Sequence, residues 1–161
     1  MTFDILILGG GPGGYVAAIK GAQLGYTVGL IERKALGGVC LNEGCIPTKT
    51  LLKSAKVYRL IKHASNYGIH VSLDAIGFDW TDIQNRKSKV IKTLTDGVKG
   101  LLKKNNVTVI EGYGEVLDAS TVQVGDTKYK TKHLILATGA SPVIPPIPGL
   151  KEAMDNHYVY T

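Results

Sequence analysis

Apolar and polar residues alternate with two different periods along this chain, and each change of period marks an expected element. An apolar run over residues 3–8 predicts a buried strand, and apolar residues recur at helical spacing over residues 15–24. A second apolar run over residues 27–31 predicts another buried strand. A strand, a helix and a strand in this order predict a parallel β-α-β crossover at the start of the chain.

Two longer helices are predicted in the middle of the chain. Residues 48–67 follow a helical pattern, and Pro47 falls in the first turn, where proline is tolerated. Residues 81–104 repeat the helical spacing, with two glycines in the last turns. The apolar stripe of the first of these helices consists of Leu51, Leu52, Ala55, Tyr58 and Ile61.

The last third of the chain changes to short alternating runs. Residues 107–130 are broken by glycines and by a Gly125-Asp126 turn, which predicts a small antiparallel meander. Residues 133–137 predict one more apolar strand. Residues 141–149 contain four prolines, so we expect an extended linker there and little structure between it and residue 161.

Length, composition and charge narrow the class of protein. The chain has 161 residues, which predicts one domain, and its hydrophobic fraction of 44% excludes a disordered chain. The net charge of +6 comes from basic residues scattered at helical spacing, which favours solvated helix faces over a nucleic-acid surface. No apolar run approaches the roughly 18 residues of a membrane span, and no secretory signal is evident, so we expect a cytoplasmic protein.

Three glycines between the first strand and the first helix fit the spacing of a dinucleotide-binding turn. Gly9, Gly11 and Gly14 form G-x-G-x-x-G, and Glu32 ends the second strand 21 residues after Gly11. Glycines let such a turn approach a pyrophosphate, whose charge is stabilised by the amides and dipole of the helix N-terminus. A carboxylate at Glu32 can accept hydrogen bonds from both ribose hydroxyls. A glycine-rich turn that holds no ligand is the alternative interpretation.

The two cysteines, Cys40 and Cys45, lie close together in a glycine-rich segment. A zinc site is disfavoured because it needs four ligands and the sequence has no second close pair. A phosphate-binding loop is disfavoured because Thr48, rather than glycine, precedes Lys49. Two unrelated buried thiols are a further alternative. Because thiols at a helix N-terminus have a lowered pKa, a redox-active dithiol fits best.

The segment around the cysteines resembles the active-site signature of the FAD-dependent pyridine-nucleotide disulfide oxidoreductases: residues 37–49 read GGVCLNEGCIPTK. Residues 9–19 (GGGPGGYVAAI) and 137–139 (ATG) are similar to further segments of this family. Within it, Cys-Ile-Pro-Thr-Lys followed by Leu51-Leu52 resembles the dihydrolipoamide dehydrogenase branch more than the glutathione or mercuric reductase branches. The resemblance extends over nearly the whole chain.

The family resemblance implies a fold and a set of site residues. The fold is α/β, a Rossmann-like FAD-binding domain with a parallel sheet, flanking helices and a small antiparallel meander, over residues 1–149. Residues 150–161 would be a linker toward an NAD-binding domain. Cys45 resembles the flavin-side thiol, Cys40 the interchange thiol, and Lys49 the cation at the flavin edge. The FAD-binding residues implied are Gly9, Gly11, Gly14, Glu32, Arg33, Gly38, Lys49, Gly114, Thr138, Gly139 and Ala140.

The resemblance also implies an activity and partners. Electrons would pass from dihydrolipoamide, carried on the lipoyl domains of a 2-oxoacid dehydrogenase or related complex, through the cysteines and FAD to NAD, in a homodimer that binds neither nucleic acid nor membrane. The chain differs from complete members of the family in three respects. It is shorter than they are, it has no second dinucleotide turn, and it has no late histidine–glutamate pair. Its TVQVGD segment, residues 121–126, is interpreted as a hairpin rather than the family's flavin-binding Gly-Asp segment.

We therefore expect the N-terminal part of such an enzyme, incomplete in its FAD site, inactive alone and weak in FAD affinity. The alternatives are a glutathione- or mercuric-type reductase and a non-catalytic FAD-binding module. A structural role in a multienzyme complex has no support in the sequence.

Overall fold

The computed structural model describes residues 1–160, which contain one six-stranded mixed sheet with helices packed against it. Along the sheet the strands are ordered β3-β2-β1-β6-β5-β4. The strands are β1 (Thr2–Leu8), β2 (Val28–Glu32), β3 (Thr108–Glu111), β4 (Gly114–Asp118), β5 (Thr121–Val124) and β6 (Thr127–Leu136). The α-helices are α1 (Pro12–Gln23), α2 (Gly38–Asn42), α3 (Cys45–Lys62), α4 (Trp80–Lys104) and α5 (Leu150–Asp155), and 3-10 turns span Ala64–Tyr67 and Leu73–Ala75.

The parallel half of the sheet confirms the predicted β-α-β unit. Strand β1 pairs parallel to β2, with Ile5 opposite Val28, and α1 connects the two strands. Strand β3 pairs parallel to β2, with Gly29 opposite Thr108, so the prediction that residues 107–130 are antiparallel throughout is wrong. The physical reason is that the long helix α4 carries the chain back across the sheet, and such a crossover returns it parallel.

The antiparallel half is the predicted meander, joined to the same sheet. Strands β5 and β6 form a hairpin around the Gly125-Asp126 turn, as predicted, and β4 pairs antiparallel to β5. The separately predicted strand at residues 133–137 is instead the continuation of β6. Strand β6 also pairs parallel to β1, on the edge of β6 opposite to β5. Strand β6 therefore joins the parallel half of the sheet to the antiparallel half.

The helices differ from the predictions mainly at their ends. Helix α1 begins at Pro12 rather than at residue 15. Helix α3 spans Cys45–Lys62 rather than residues 48–67, and the 3-10 turn Ala64–Tyr67 follows it. Helix α4 is as predicted to within one residue. Helix α2 was not predicted. The expectation of little structure after residue 149 is wrong, because Gly149, with a φ of 79°, starts the short helix α5.

The core lies on both faces of the sheet, because neighbouring residues of β1 point to opposite sides. Ile7 packs with Leu30 and with Val98 and Leu102 of α4, whereas Leu6 packs with another apolar group, which includes Val122 of β5. Helix α3 contributes only Thr50 as a buried residue, so most of its predicted apolar stripe is uncovered. None of the helices within residues 1–160 combines the length and the apolar character that crossing a bilayer requires.

Candidate functional site

Two glycines of the predicted dinucleotide turn are required by its own packing. The Gly9 amide donates to the Ile31 carbonyl over 2.8 Å, and its φ of 110° is a conformation that L side chains rarely adopt. A Cβ at Gly9 would lie 2.2 Å from the Ala137 carbonyl oxygen, and a Cβ at Gly14 would lie 1.7 Å from the Gly9 carbonyl oxygen. Because neither position has room for a side chain, these glycines allow β1, α1 and the residue after β6 to pack closely.

Gly11 differs because it has room for a side chain. A Cβ there would meet only the Gly38 Cα, at 3.8 Å, and the Gly11 φ of −70° suits any residue. Gly11 is the N-cap of α1, no side chain caps this helix, and Pro12 occupies the first turn. The open space at this helix end, with its partial positive charge, is suited to an anionic ligand such as a pyrophosphate.

The Glu32 carboxylate is positioned by two backbone amides. Gly10 donates to Oε2 over 2.7 Å, and Lys34 donates to Oε1 over 2.7 Å. A carboxylate has about four acceptor positions. Glu32 therefore keeps capacity for further donors such as ribose hydroxyls.

A cavity of about 510 Å³ at the carboxyl ends of the parallel strands brings together seven of the predicted FAD-binding residues. They are Gly9, Glu32, Arg33, Gly114, Thr138, Gly139 and Ala140. The cavity also includes Tyr113, whose ring lies under the Arg33 guanidinium with 5.9 Å between Cζ and the ring centroid. Sequence analysis missed Tyr113, although its place between Gly112 and the predicted Gly114 was a signal.

The Gly37-Gly38 turn joins the dinucleotide turn to the cysteine segment. Gly37 donates its amide to the Gly10 carbonyl over 2.8 Å, and a Cβ at Gly38 would lie 2.8 Å from the Gly11 Cα. The Asn42 Nδ2 donates to the Gly38 carbonyl over 2.9 Å and to the Leu36 carbonyl over 3.1 Å. Sequence analysis missed this role of Asn42, because it depends on the path of the loop.

The two cysteines are adjacent free thiols. Cys40 lies in α2 and is half-buried, and Cys45 is the exposed first residue of α3. The pKa of Cys40 is raised, first by the neighbouring Cys45 thiol and then by burial, while the Lys49 cation acts in the opposite direction. For Cys40 the direction is thus opposite to the lowering expected at a helix N-terminus, and the neighbouring Cys45 thiol is the largest cause.

The predicted thiol site and the predicted cofactor cavity are separate groups of residues. Cys40, Cys45 and Lys49 do not line the 510 Å³ cavity, and the turn at Gly37-Gly38 lies between the two groups. Lys49 is exposed one helical turn after Cys45. The four histidines are all exposed: His63, His70, His133 and His157.

The sequence matches a family model over residues 3–160, and this family is described as pyridine nucleotide-disulphide oxidoreductase. Curated relatives called dihydrolipoyl dehydrogenase include one from Acholeplasma laidlawii, 54% identical over 99% of this chain and 47% of the relative. A mitochondrial one from Pisum sativum is 46% identical over 91% of this chain and 30% of the relative. The chain thus spans half or less of the length of these relatives.

A solved structure has a fold similar to that of this chain. The Cu(II) complex of RclA, an HOCl-induced flavoprotein disulfide reductase from Escherichia coli, superimposes with a TM-score of 0.77. Sequence identity is 29%, over 94% of this chain and 32% of that protein.

Proposed function

Because this chain belongs to the pyridine nucleotide-disulphide oxidoreductase family, we propose that it forms the FAD- and disulfide-bearing part of a dihydrolipoyl dehydrogenase. The observation that carries the proposal is the pair of neighbouring free thiols, with Cys40 in α2 and Cys45 at the start of α3, where Cys45 raises the pKa of Cys40. A pair of adjacent thiols is what reversible disulfide exchange with a dithiol substrate requires. Dihydrolipoyl dehydrogenase relatives at 54% and 46% identity support the choice of substrate.

The residues around the dinucleotide turn fit FAD. Space for a ligand at Gly11 and the uncapped end of α1 support a pyrophosphate site, since a Cβ at Gly11 would fill the cradle. Glu32, held by two amides, supports a ribose site, and the backbone of Gly114 and of residues 138–140 lines the rest of the cavity. Lys49 would place its positive charge where a reduced flavin is anionic. When bound, FAD supplies the two-electron acceptor for the thiol pair.

Disulfide exchange at the cysteines is a balanced two-electron reaction. A substrate thiolate attacks the Cys40 sulfur of the oxidised pair, the Cys40–Cys45 bond breaks, and Cys45 leaves as the thiolate. The second substrate thiol then attacks the mixed disulfide and releases Cys40 as a thiol. The substrate is oxidised to its disulfide, and the chain gains two electrons. The raised pKa of Cys40 favours the protonated form of this sulfur.

The wider function proposed for the complete enzyme follows from the same relatives. Its substrate is dihydrolipoamide on the lipoyl domains of a 2-oxoacid dehydrogenase or related complex, and NAD is the co-substrate. We propose a cytoplasmic homodimer for the complete enzyme. Residues 1–149 would be its FAD-binding segment and residues 150–161 the linker to the NAD-binding domain.

The test uses the chain itself. The reduced chain is oxidised with diamide, treated with dihydrolipoamide or with reduced glutathione, and its free thiols are counted by alkylation and mass spectrometry. We expect dihydrolipoamide to restore both thiols at concentrations where glutathione does not. Cys40→Ser and Cys45→Ser serve as controls that form no internal disulfide. Failure to form a Cys40–Cys45 disulfide would overturn the proposal, and preference for glutathione would favour a glutathione-type reductase.

A second measurement concerns the chain without further domains. We expect no steady-state NADH production from dihydrolipoamide and NAD, and weak FAD binding in a fluorescence titration. Sustained NADH production by the purified chain would contradict the first expectation. Tight FAD binding with an unreactive thiol pair would favour the non-catalytic binding module.

A further inference from the structure

A groove of about 630 Å³ lies between α3 and the start of α4, on residues that neither the thiol pair nor the proposed FAD site uses. We call it the α3–α4 groove. Its lining is mainly apolar and includes Tyr58, Ile61, Phe78, Trp80 and Ile83. Phe78 is 69% exposed and Trp80 is 58% exposed. Because proteins that act as monomers rarely leave a large contiguous apolar patch in water, this groove is expected to be a contact surface.

Two contacts show how α3 and the start of α4 lie against each other. Arg86 Nη1 donates to the Thr50 carbonyl over 3.1 Å. The rings of Tyr58 and Phe78 meet edge to face, with 5.8 Å between their centroids. The early part of α3 thus lies beside a later part of α4, and the later part of α3 lies beside the residues that precede α4. The two helices are therefore antiparallel.

Opposite charges lie on the two walls of the groove at nearly the same height. Both helices rise by about 1.5 Å per residue, so Lys53, three residues after Thr50, is level with the residue three before Arg86. That residue follows Asp82 directly. Lys53 lines the groove from α3, and Asp82 lines it from α4. Both are exposed, and neither has an ion-pair partner within residues 1–160.

This arrangement of charge is complementary to itself. In a symmetric dimer every contact occurs twice, because residue i of one copy meets residue j of the other and the reverse also holds. A twofold axis running along the groove lays α3 of one copy on α4 of the other without changing the height of any residue. Lys53 of each copy then meets Asp82 of the other copy. An axis across the groove would instead lay α3 on α3, which carries five cations and no acidic residue.

We propose that the α3–α4 groove is a self-association surface, on which a second copy of this chain docks with its own groove and encloses Trp80. Exposed aromatic side chains are suited to the centre of such an interface, and the paired charges are suited to its rim. A second copy is favoured over another occupant because Lys53 and Asp82 complement themselves. The inference goes beyond the proposed thiol and FAD chemistry, since it uses none of those residues. It rests on the proposed function only in giving the proposed homodimer a contact within this chain.

Sedimentation and fluorescence test the surface on the reduced chain. Sedimentation velocity over the micromolar to millimolar range should show a monomer that becomes a dimer. Trp80 is the only tryptophan in the sequence, so its emission reports on the groove itself. We expect this emission to move to shorter wavelength as the dimer forms and Trp80 leaves water. A chain that stays monomeric would overturn the inference and leave the groove to a different occupant. Dimerisation without a change in Trp80 emission would also overturn it.

Charge reversal in two separate variants tests the predicted pairing. Lys53→Glu and Asp82→Lys each place like charges opposite one another at both symmetric contacts, so each should raise the dissociation constant of the dimer about tenfold or more. An equimolar mixture of the two variants should restore the wild-type dissociation constant, because opposite charges then meet at both contacts. A variant that failed to fold would not be rescued in this way.

The matched controls are Lys128→Glu and Asp126→Lys, which change the net charge of the chain by the same amounts. Both residues are exposed at the β5–β6 hairpin, and neither lines the groove. The controls should dimerise with nearly the wild-type dissociation constant, and mixing them should change nothing. Equal weakening in these controls would overturn the inference, because it would show an effect of net charge alone.

The outcomes separate this inference from the proposed function. No recovery on mixing Lys53→Glu with Asp82→Lys would overturn the self-association surface, while formation of a Cys40–Cys45 disulfide in the same chain would leave the proposed thiol chemistry standing. Conversely, a chain that forms no such disulfide but dimerises, with rescue in the mixture, would remove the proposed function and support the surface.

Discussion

The Gly10 amide and the Glu32 carboxylate are joined by a hydrogen bond of 2.7 Å, which ties the end of β2 to the dinucleotide turn. Gly10 itself has little room, since a Cβ there would lie 3.1 Å from Glu32 Oε2. The carboxylate proposed to bind a ribose therefore also helps to shape the turn proposed to bind the pyrophosphate. Its removal should affect both stability and cofactor affinity.

Glu32→Gln should lower the free energy of unfolding by about 1 kcal/mol, because its NH₂ group replaces one of two oxygens that accept backbone amides. It should also weaken FAD binding. Urea denaturation and FAD titration check the two effects. The control is Glu115→Gln, at an exposed cavity residue with no side-chain hydrogen bond among residues 1–160. Unchanged stability in Glu32→Gln would show that the amide contacts are not important.

Gly14→Ala and Gly11→Ala should separate folding from binding. At Gly14 the new Cβ meets the Gly9 carbonyl oxygen, which should destabilise the chain by about 3 kcal/mol or more. At Gly11 the nearest atom is 3.8 Å away, so stability should change by less than about 0.5 kcal/mol while FAD affinity falls roughly tenfold. Thermal denaturation and fluorescence titration distinguish the two. Equal FAD affinity in Gly11→Ala would contradict the pyrophosphate site.

Cys45→Ala and Lys49→Met should shift the titration of Cys40 in opposite directions. Removing the Cys45 sulfur removes the largest cause of the raised pKa of Cys40, so this pKa should fall. Removing the Lys49 cation removes a charge that lowers the pKa of Cys40, so this pKa should rise. The measurement is the iodoacetamide alkylation rate of Cys40 against pH, with its modification resolved by mass spectrometry. Shifts of the same sign would contradict the opposite effects of Cys45 and Lys49 on the pKa of Cys40.

Asp4→Asn should destabilise the chain at neutral pH and lose this effect in acid. Lys132, at 2.7 Å, and then Thr27 hold the pKa of the Asp4 carboxyl well below its usual range. A carboxyl with a lowered folded-state pKa contributes stability above its unfolded pKa of about 3.9, and this contribution is lost as pH falls toward the folded value.

The difference in unfolding free energy between the wild type and Asp4→Asn should therefore be constant above about pH 5 and shrink below pH 4. Urea denaturation at several pH values measures it. Asp96→Asn, which removes an exposed pair with Lys92 within α4, is the control and should have a small effect. A difference that grows in acid would contradict the stated ion pair.

The local part of the fold could be predicted from the sequence, and the non-local part could not. The β-α-β unit and the dinucleotide turn follow from periodicity and glycine spacing within residues 1–32. The partner of β3 could not be found this way, because a strand of four residues alternates similarly beside a parallel or an antiparallel neighbour. Helix α5 was not predicted because the preceding residues 141–149 are rich in proline; its N-cap, Gly149, has a positive φ.

The residue types of the site were predictable, but their interactions depended on distances that only the fold sets. The glycines and Glu32 were singled out from spacing, whereas the Arg33–Tyr113 contact joins the segment after β2 to the loop after β3. The direction of the Cys40 pKa shift depends on how closely Cys45 approaches, which a sequence separation of five residues does not determine.

The position of β6 has a consequence for folding during synthesis. Strand β1 precedes the other five strands in the sequence, but one of its two neighbours in the sheet, β6, comes from residues 127–136. Until the ribosome has released those residues, β1 has one edge without hydrogen-bond partners, and exposed apolar edges promote aggregation. Pairing of β6 with β1 is thus a late step that joins strands far apart in the sequence. Such non-local pairing predicts slow folding and a need for protection of the nascent chain.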